Sequence, residues 1–156
     1  ALVMGTIVSV EAEVQSRGGV LTTAQMRVFR SLRGASPGEI ISIVLPGGTL
    51  KNGLTSKVAG APTPRVGDWA VVLLEKKSKV WTPQGLSLGW IELQGSPETS
   101  FLAFRELDGL SLIGGQGQLI SSDVFRLRAV ELEVLWKRLA TQSQSPVLPQ
   151  AGEVSP

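Results

Sequence analysis

The sequence predicts a mainly β protein: five or six antiparallel strands closed into a small barrel, followed by one C-terminal α-helix and a disordered tail. Three features carry that expectation. Apolar and polar side chains alternate over residues 2–14 and again over 20–33, the period of a strand with one wet face. Short glycine-containing turns separate the runs. Apolar residues at helical spacing appear only after residue 120.

In the first run Leu2, Met4, Val8, Val10, Ala12 and Val14 take the even positions, with Ser9, Glu11 and Glu13 opposite, so the even face is the expected inner one. "SRGG" (16–19) is a turn. Thr22, Ala24, Met26, Val28 and Leu32 then face one way, with Gln25, Arg27 and Arg33 facing the other, so the two runs read as a hairpin. "RGASPG" (33–38) is a second turn. In "EIISIVLPGG" (39–48) Ile41, Ile43 and Leu45 form the inward face, and Pro46, Gly47 and Gly48 end the strand. Residues 49–67 are an irregular Gly- and Pro-containing loop with a short strand expected around "LTSKVAG" (54–60).

The densest apolar run, "PRVGDWAVVLLEKKSKV" (64–80), supplies a strand from Asp68 to Glu75, a charged turn at "KKS" and a return strand through Trp81. Its Val71, Val72, Leu73 and Leu74 read as a strand buried on both faces, with Trp69 and Trp81 flanking it as core rather than as a ligand-binding pair. "LSLGWIELQG" (86–95) is the next expected strand, with Gly89 as a bulge. Residues 96–121 hold a strand or two without clean periodicity. "SSDVFRLRAVELEVLWKRLATQ" (121–142) reads as one helix capped by Ser122 or Asp123, with Glu133 four residues before Lys137. On it Leu127, Val130 and Val134 form one apolar strip. Val124, Phe125, Leu132, Leu135, Trp136 and Leu139 form a wider one, and a small barrel can cover only one of the two. The division is therefore a domain over residues 1–141 and a Pro-containing tail over 142–156.

Composition excludes more than it assigns. With 156 residues, 42% apolar and 18% charged, the chain can bury one core. It has no His and no Cys, hence no imidazole base, thiolate nucleophile, disulfide or ordinary zinc site. No catalytic residue, metal or cofactor is expected. The net charge of +2 is small, although residues 1–81 carry 10 basic and 5 acidic side chains and residues 82–156 carry 5 and 8. No stretch reaches the roughly 18 to 20 apolar residues of a membrane helix. The opening "ALVMGTIVSV" lacks Met and enters a strand pattern at once, which suggests removal of an N-terminal segment by signal-peptide cleavage or by trimming.

The order "GTIVSV", then "MRVFRSLRGASPGEIISIVLPGG", then "VAGAPTPRVGDWAVVLLEKK" resembles a type of secreted bacterial β-domain with the OB-like barrel of netrin-type and metalloprotease-inhibitor-type modules. The resemblance spans roughly residues 3–94 and implies roles for glycines. Gly34 would be a corner, Gly47 and Gly48 a strand exit, Gly60 and Pro62 a loop turn, and Gly67 with Asp68 the start of the closing strand. Asp68 stands where the family more often has Glu. Inhibitors of the animal kind use an N-terminal Cys as metal ligand, a chemistry Ala1 cannot perform. The family setting implies an exported protein, periplasmic, outer-membrane-associated or extracellular, and any link to proteolysis would be as an accessory partner. A chain without Cys folds equally well in the cytosol.

Other motifs reduce to structure. "IGGQGQLIS" (113–121) lacks the Gly-Lys-Ser/Thr of a phosphate loop and reads as a connector. Glu11 and Glu13 share the wet face of a strand, and Glu106 and Asp108 offer no better acid pair. Arg27, Arg33, Lys76, Lys77 and Lys79 could follow a phosphate backbone, but Phe29 is the one aromatic on the outer face of the early strands, and single-strand binders stack bases on aromatics. The expected role is a non-enzymatic structural or protein-binding module in a larger assembly, binding another protein or its own copies. Trp90, Phe125, Leu132, Trp136 and Leu139 are its expected contact residues. An OB-type nucleic-acid-binding module is the alternative.

Overall fold

The computed structural model describes residues 1–16, 18–96, 100–105, 112–113, 119–120 and 127–143. In chain order the strands are β1 (Leu2–Val14), β2 (Val20–Arg33), β3 (Ile40–Pro46), β4 (Gly48–Thr49), β5 (Thr55–Ser56), β6 (Trp69–Lys77), β7 (Val80–Pro83), β8 (Trp90–Ser96), β9 (Ser100–Arg105), β10 (Leu112–Ile113), β11 (Leu119–Ile120) and β12 (Leu127–Glu131), followed by the helix α1 (Leu132–Ser143). The protein is mainly β with one C-terminal helix, as the alternation predicts.

Five strands close on themselves in the order β1-β2-β3-β7-β6, because β1 pairs with β2 on one side and with β6 on the other. Leu2 to Thr6 lie opposite Leu73 to Trp69 in that second pairing. The closed five-stranded sheet fits the expected barrel-like fold, with one difference: β3 and β7 run parallel where they meet, at Ile43 and Trp81, so the barrel is not wholly antiparallel. From β6 the sheet continues outward through β8, β9 and β12.

Two apolar cores result. The barrel interior holds Val3, Ile7, Met26, Val28, Ile43 and Leu45, with Val72, Leu74, Trp81 and Trp90 from the later strands. Fully burying an aliphatic side chain of this size stabilises by about 1.5–3 kcal/mol before entropy is counted. The second core lies outside the barrel, where Leu2, Met4, Val71, Ile91, Leu93 and Phe101 meet Leu132, Leu135 and Trp136 of α1. β6 thus serves both, sending Ala70, Val72 and Leu74 inward and Val71 outward. The densest apolar run of the sequence is a wall between two cores.

The inner face of β1 differs from expectation. Val3 and Ile7, at odd positions, point inward, while Leu2 and Met4 belong to the outer core. The register then steps from Ile7–Met26 to Ser9–Gln25, leaving Val8 as a bulge, after which Val10 packs against the barrel interior. The extra residue switches which parity faces in. Early β1 is apolar at both parities because both of its faces are covered. In β2, Thr22 to Val28 follow the predicted face, but Leu32 packs against the outer core instead.

The strand end at Gly47 and Gly48 is as predicted and has a steric cause. The buried Thr22 hydroxyl donates to the Gly47 carbonyl at 2.7 Å, and a Cβ on Gly48 would collide with that same hydroxyl. Residues 86–95 do not form one strand: Leu86–Gly89 is a 3₁₀ turn, and the strand starts at Trp90.

The single helix expected over 121–142 is also corrected. Leu127–Glu131 is a strand paired with β9, and the helix occupies Leu132–Ser143. The free edge of β9 offers backbone partners that override local helical spacing. This removes the problem of two apolar strips, since Leu127 and Val130 are strand residues and Val134 is exposed. The predicted caps Ser122 and Asp123 lie outside the described residues, as does the predicted tail beyond Ser143; Gln142 and Ser143 themselves belong to α1.

Candidate protein-binding groove

The expected contact residues are largely committed within the chain. Trp90 is 5% exposed and faces the barrel interior, while Leu132 and Trp136, at 6% and 7%, seat α1 on the outer core. Leu139 packs partly against that core, and Phe125 lies outside the described residues. These side chains hold the fold; as placed, none of the four described ones offers a free apolar surface of the size a partner needs.

The structure places an exposed aromatic elsewhere, at Phe29. In β1–β2 the register passes from Met4–Arg30 to Gly5–Val28, so Phe29 is an extra residue on β2. Gly5 permits this close approach: a Cβ there would strike the Arg27 carbonyl oxygen and the Met26 side chain. The bulge turns Phe29 outward, where it is 54% exposed. Its ring is not loose, since it meets Trp69 edge-to-face at 5.6 Å, and Trp69 in turn meets Phe101 at 5.1 Å. Such a row of rings pre-orients the outermost one.

Phe29 forms one wall of a groove of about 300 Å³ whose apolar lining includes Met4, Phe101 and Leu132. The rim is polar: Arg30 stands beside Phe29, and Glu131 and Glu133 face the groove from β12 and the start of α1. Arg30 is held twice, by an ion pair with Glu133 and by stacking over the Trp136 ring at 4.7 Å. It thereby ties the helix to the barrel at the groove's edge. An apolar floor, one exposed aromatic and a charged rim suit an apolar side chain of a polypeptide better than bond-making chemistry.

Glu131 and Glu133 both line this groove, but among the described residues no three His, Cys, Asp or Glu side chains come together as metal ligands would. Glu11 and Glu13 are both exposed, and Glu13 accepts a hydrogen bond from Gln15. Glu106, Asp108 and Gly114 to Gly117 lie outside the described residues. No described helix is long and apolar enough to cross a membrane. The signal that could have found the groove was present in the sequence, as Phe29 breaks an otherwise polar outward face. What alternation alone could not supply was the bulge that aims it. The chain matches no protein-family model, no curated protein and no solved structure.

Proposed function

We propose that this chain is a non-enzymatic, exported structural or protein-binding module that works as a subunit of a larger assembly. The observation that carries this reading is Phe29, held outward by a bulge, braced by Trp69 and set over an apolar groove with a charged rim. Aromatic side chains in such settings dominate the energy of protein interfaces. The resemblance of residues 3–94 to netrin-type and inhibitor-type modules supports the exported setting and a role beside other secreted proteins. The partner, whether another protein or a second copy, places an apolar side chain in the groove against Phe29.

The test is gel filtration with light scattering on the protein from its native source, beside a Phe29→Asp variant. The expected result is a mass above that of one chain for the wild type, and a single-chain mass for a variant that keeps the wild-type far-UV circular dichroism spectrum. A wild-type monomer, or an assembly indifferent to the variant, would overturn the reading. Tight binding of single-stranded DNA that weakens steeply with salt would favour the nucleic-acid alternative instead.

A further inference from the structure

A second cleft, of about 320 Å³, opens along the same outer sheet near the C-terminal half of α1. Leu2, Val71, Leu73 and Ile91 line it from the sheet, and Leu139 covers it from the helix. Two more lining residues are arginines, Arg33 and Arg105, and among the described residues no carboxylate lines the cleft. The strand order sets their places: Arg33 ends β2, Arg105 ends β9, and β1, β6 and β8 run between them. Measured along the curved sheet, at about 4.8 Å per strand, the path between the two is roughly 19 Å, with the apolar floor between.

Arg105 is the unusual member. Its Nε is buried and has no hydrogen-bond partner among the described residues. Burial also pushes the guanidinium pKa below its ordinary value. Native proteins rarely leave a buried donor on a charged group unanswered, because the desolvation cost falls on stability. A guanidinium presents a planar fork suited to a carboxylate.

We propose that this cleft binds a small apolar carboxylate, a short acyl chain with a free acid group. Arg105 donates to the carboxylate, and the chain lies along Leu2, Val71, Leu73 and Ile91 beneath Leu139. Arg33, exposed at the far end, adds attraction without direct contact. A cleft of 320 Å³ is at the small end of ligand sites, which favours a short chain over a full-length lipid.

The test is a titration of the full chain with octanoate, 1-octanol and acetate, followed by calorimetry and amide chemical shifts. Octanoate should saturate, with the largest shifts at Ile91, Arg105 and Leu139. Octanol should bind at least about tenfold more weakly, since it lacks the charge-assisted bonds, and acetate should not saturate. Arg105→Gln should cost octanoate at least about tenfold and leave octanol unchanged, while the exposed Arg33→Gln should cost about two- to threefold. Equal affinity for octanoate and octanol, no saturation by octanoate, or full octanoate affinity in Arg105→Gln would each overturn the proposal. If Arg105→Gln does not fold, the octanoate-to-octanol ratio on the wild-type chain decides it.

Discussion

The barrel interior and the layer beneath α1 are built from the same sheet, yet they differ in how they are closed. The interior is enclosed on all sides by strands and filled by Val3, Met26, Ile43, Leu45 and Val72, each 0% exposed. The outer layer is capped by one twelve-residue helix that reaches the sheet through Leu132, Leu135 and Trp136. Clefts open along that layer, one beside Phe29 and one beside Arg105. The difference teaches that a closed core specifies the fold, whereas a face covered by one helix among the described residues leaves clefts along its apolar side chains.

If the interior specifies the fold, damage there should be global. Ile43→Ala removes a fully buried side chain where β3 meets β7 and should cost about 4 kcal/mol, measured as a lower urea midpoint with all probes moving together. Separate transitions by Trp fluorescence and far-UV circular dichroism would break the comparison from that side.

Damage to the outer layer should be smaller and local. Trp136→Ala empties the helix's largest anchor and removes the ring under Arg30, at a cost of about 3 kcal/mol. Amide spectra should show α1 and its neighbours shifted while β2 and β3 keep their native positions. Loss of the whole spectrum would mean that the barrel depends on the helix.

The smallest effect concerns charge. The Arg30 and Glu133 side chains are 32% and 64% exposed, so Glu133→Gln should cost under about 1 kcal/mol. A larger loss would make the ion pair, rather than Leu132, Leu135 and Trp136, the tie that holds the layer in place.

Much of the barrel was legible in the residues. Alternation at Thr22, Ala24, Met26 and Val28, and at Ile41, Ile43 and Leu45, reports one-sided burial directly, because side chains on a strand point alternately to two faces. Glycines mark the strand exit because a Cβ would meet the Ser56 carbonyl oxygen at Gly47 and the Thr22 hydroxyl at Gly48. Early β1 was misread, since a strand buried on both faces carries no alternation to read and the bulge at Val8 resets its phase. Leu127 to Glu131 was misread for a different reason: its spacing fits a helix, and only the neighbouring edge of β9 makes it a strand. The candidate site was the least legible part. Trp136 and Trp90 look like anchors by type but are used inside the chain, and Phe29 depends on a bulge whose position follows from pairing with β1 rather than from β2 alone.

Residue-resolved hydrogen exchange tests the separation of the two layers most directly. The account predicts that amides of β2 and β3 and the β1-paired half of β6 exchange only through global unfolding, while those of α1 open locally at a clearly lower free energy. Equal protection in α1 and in the barrel strands would contradict it, because the helix would then belong to one indivisible core.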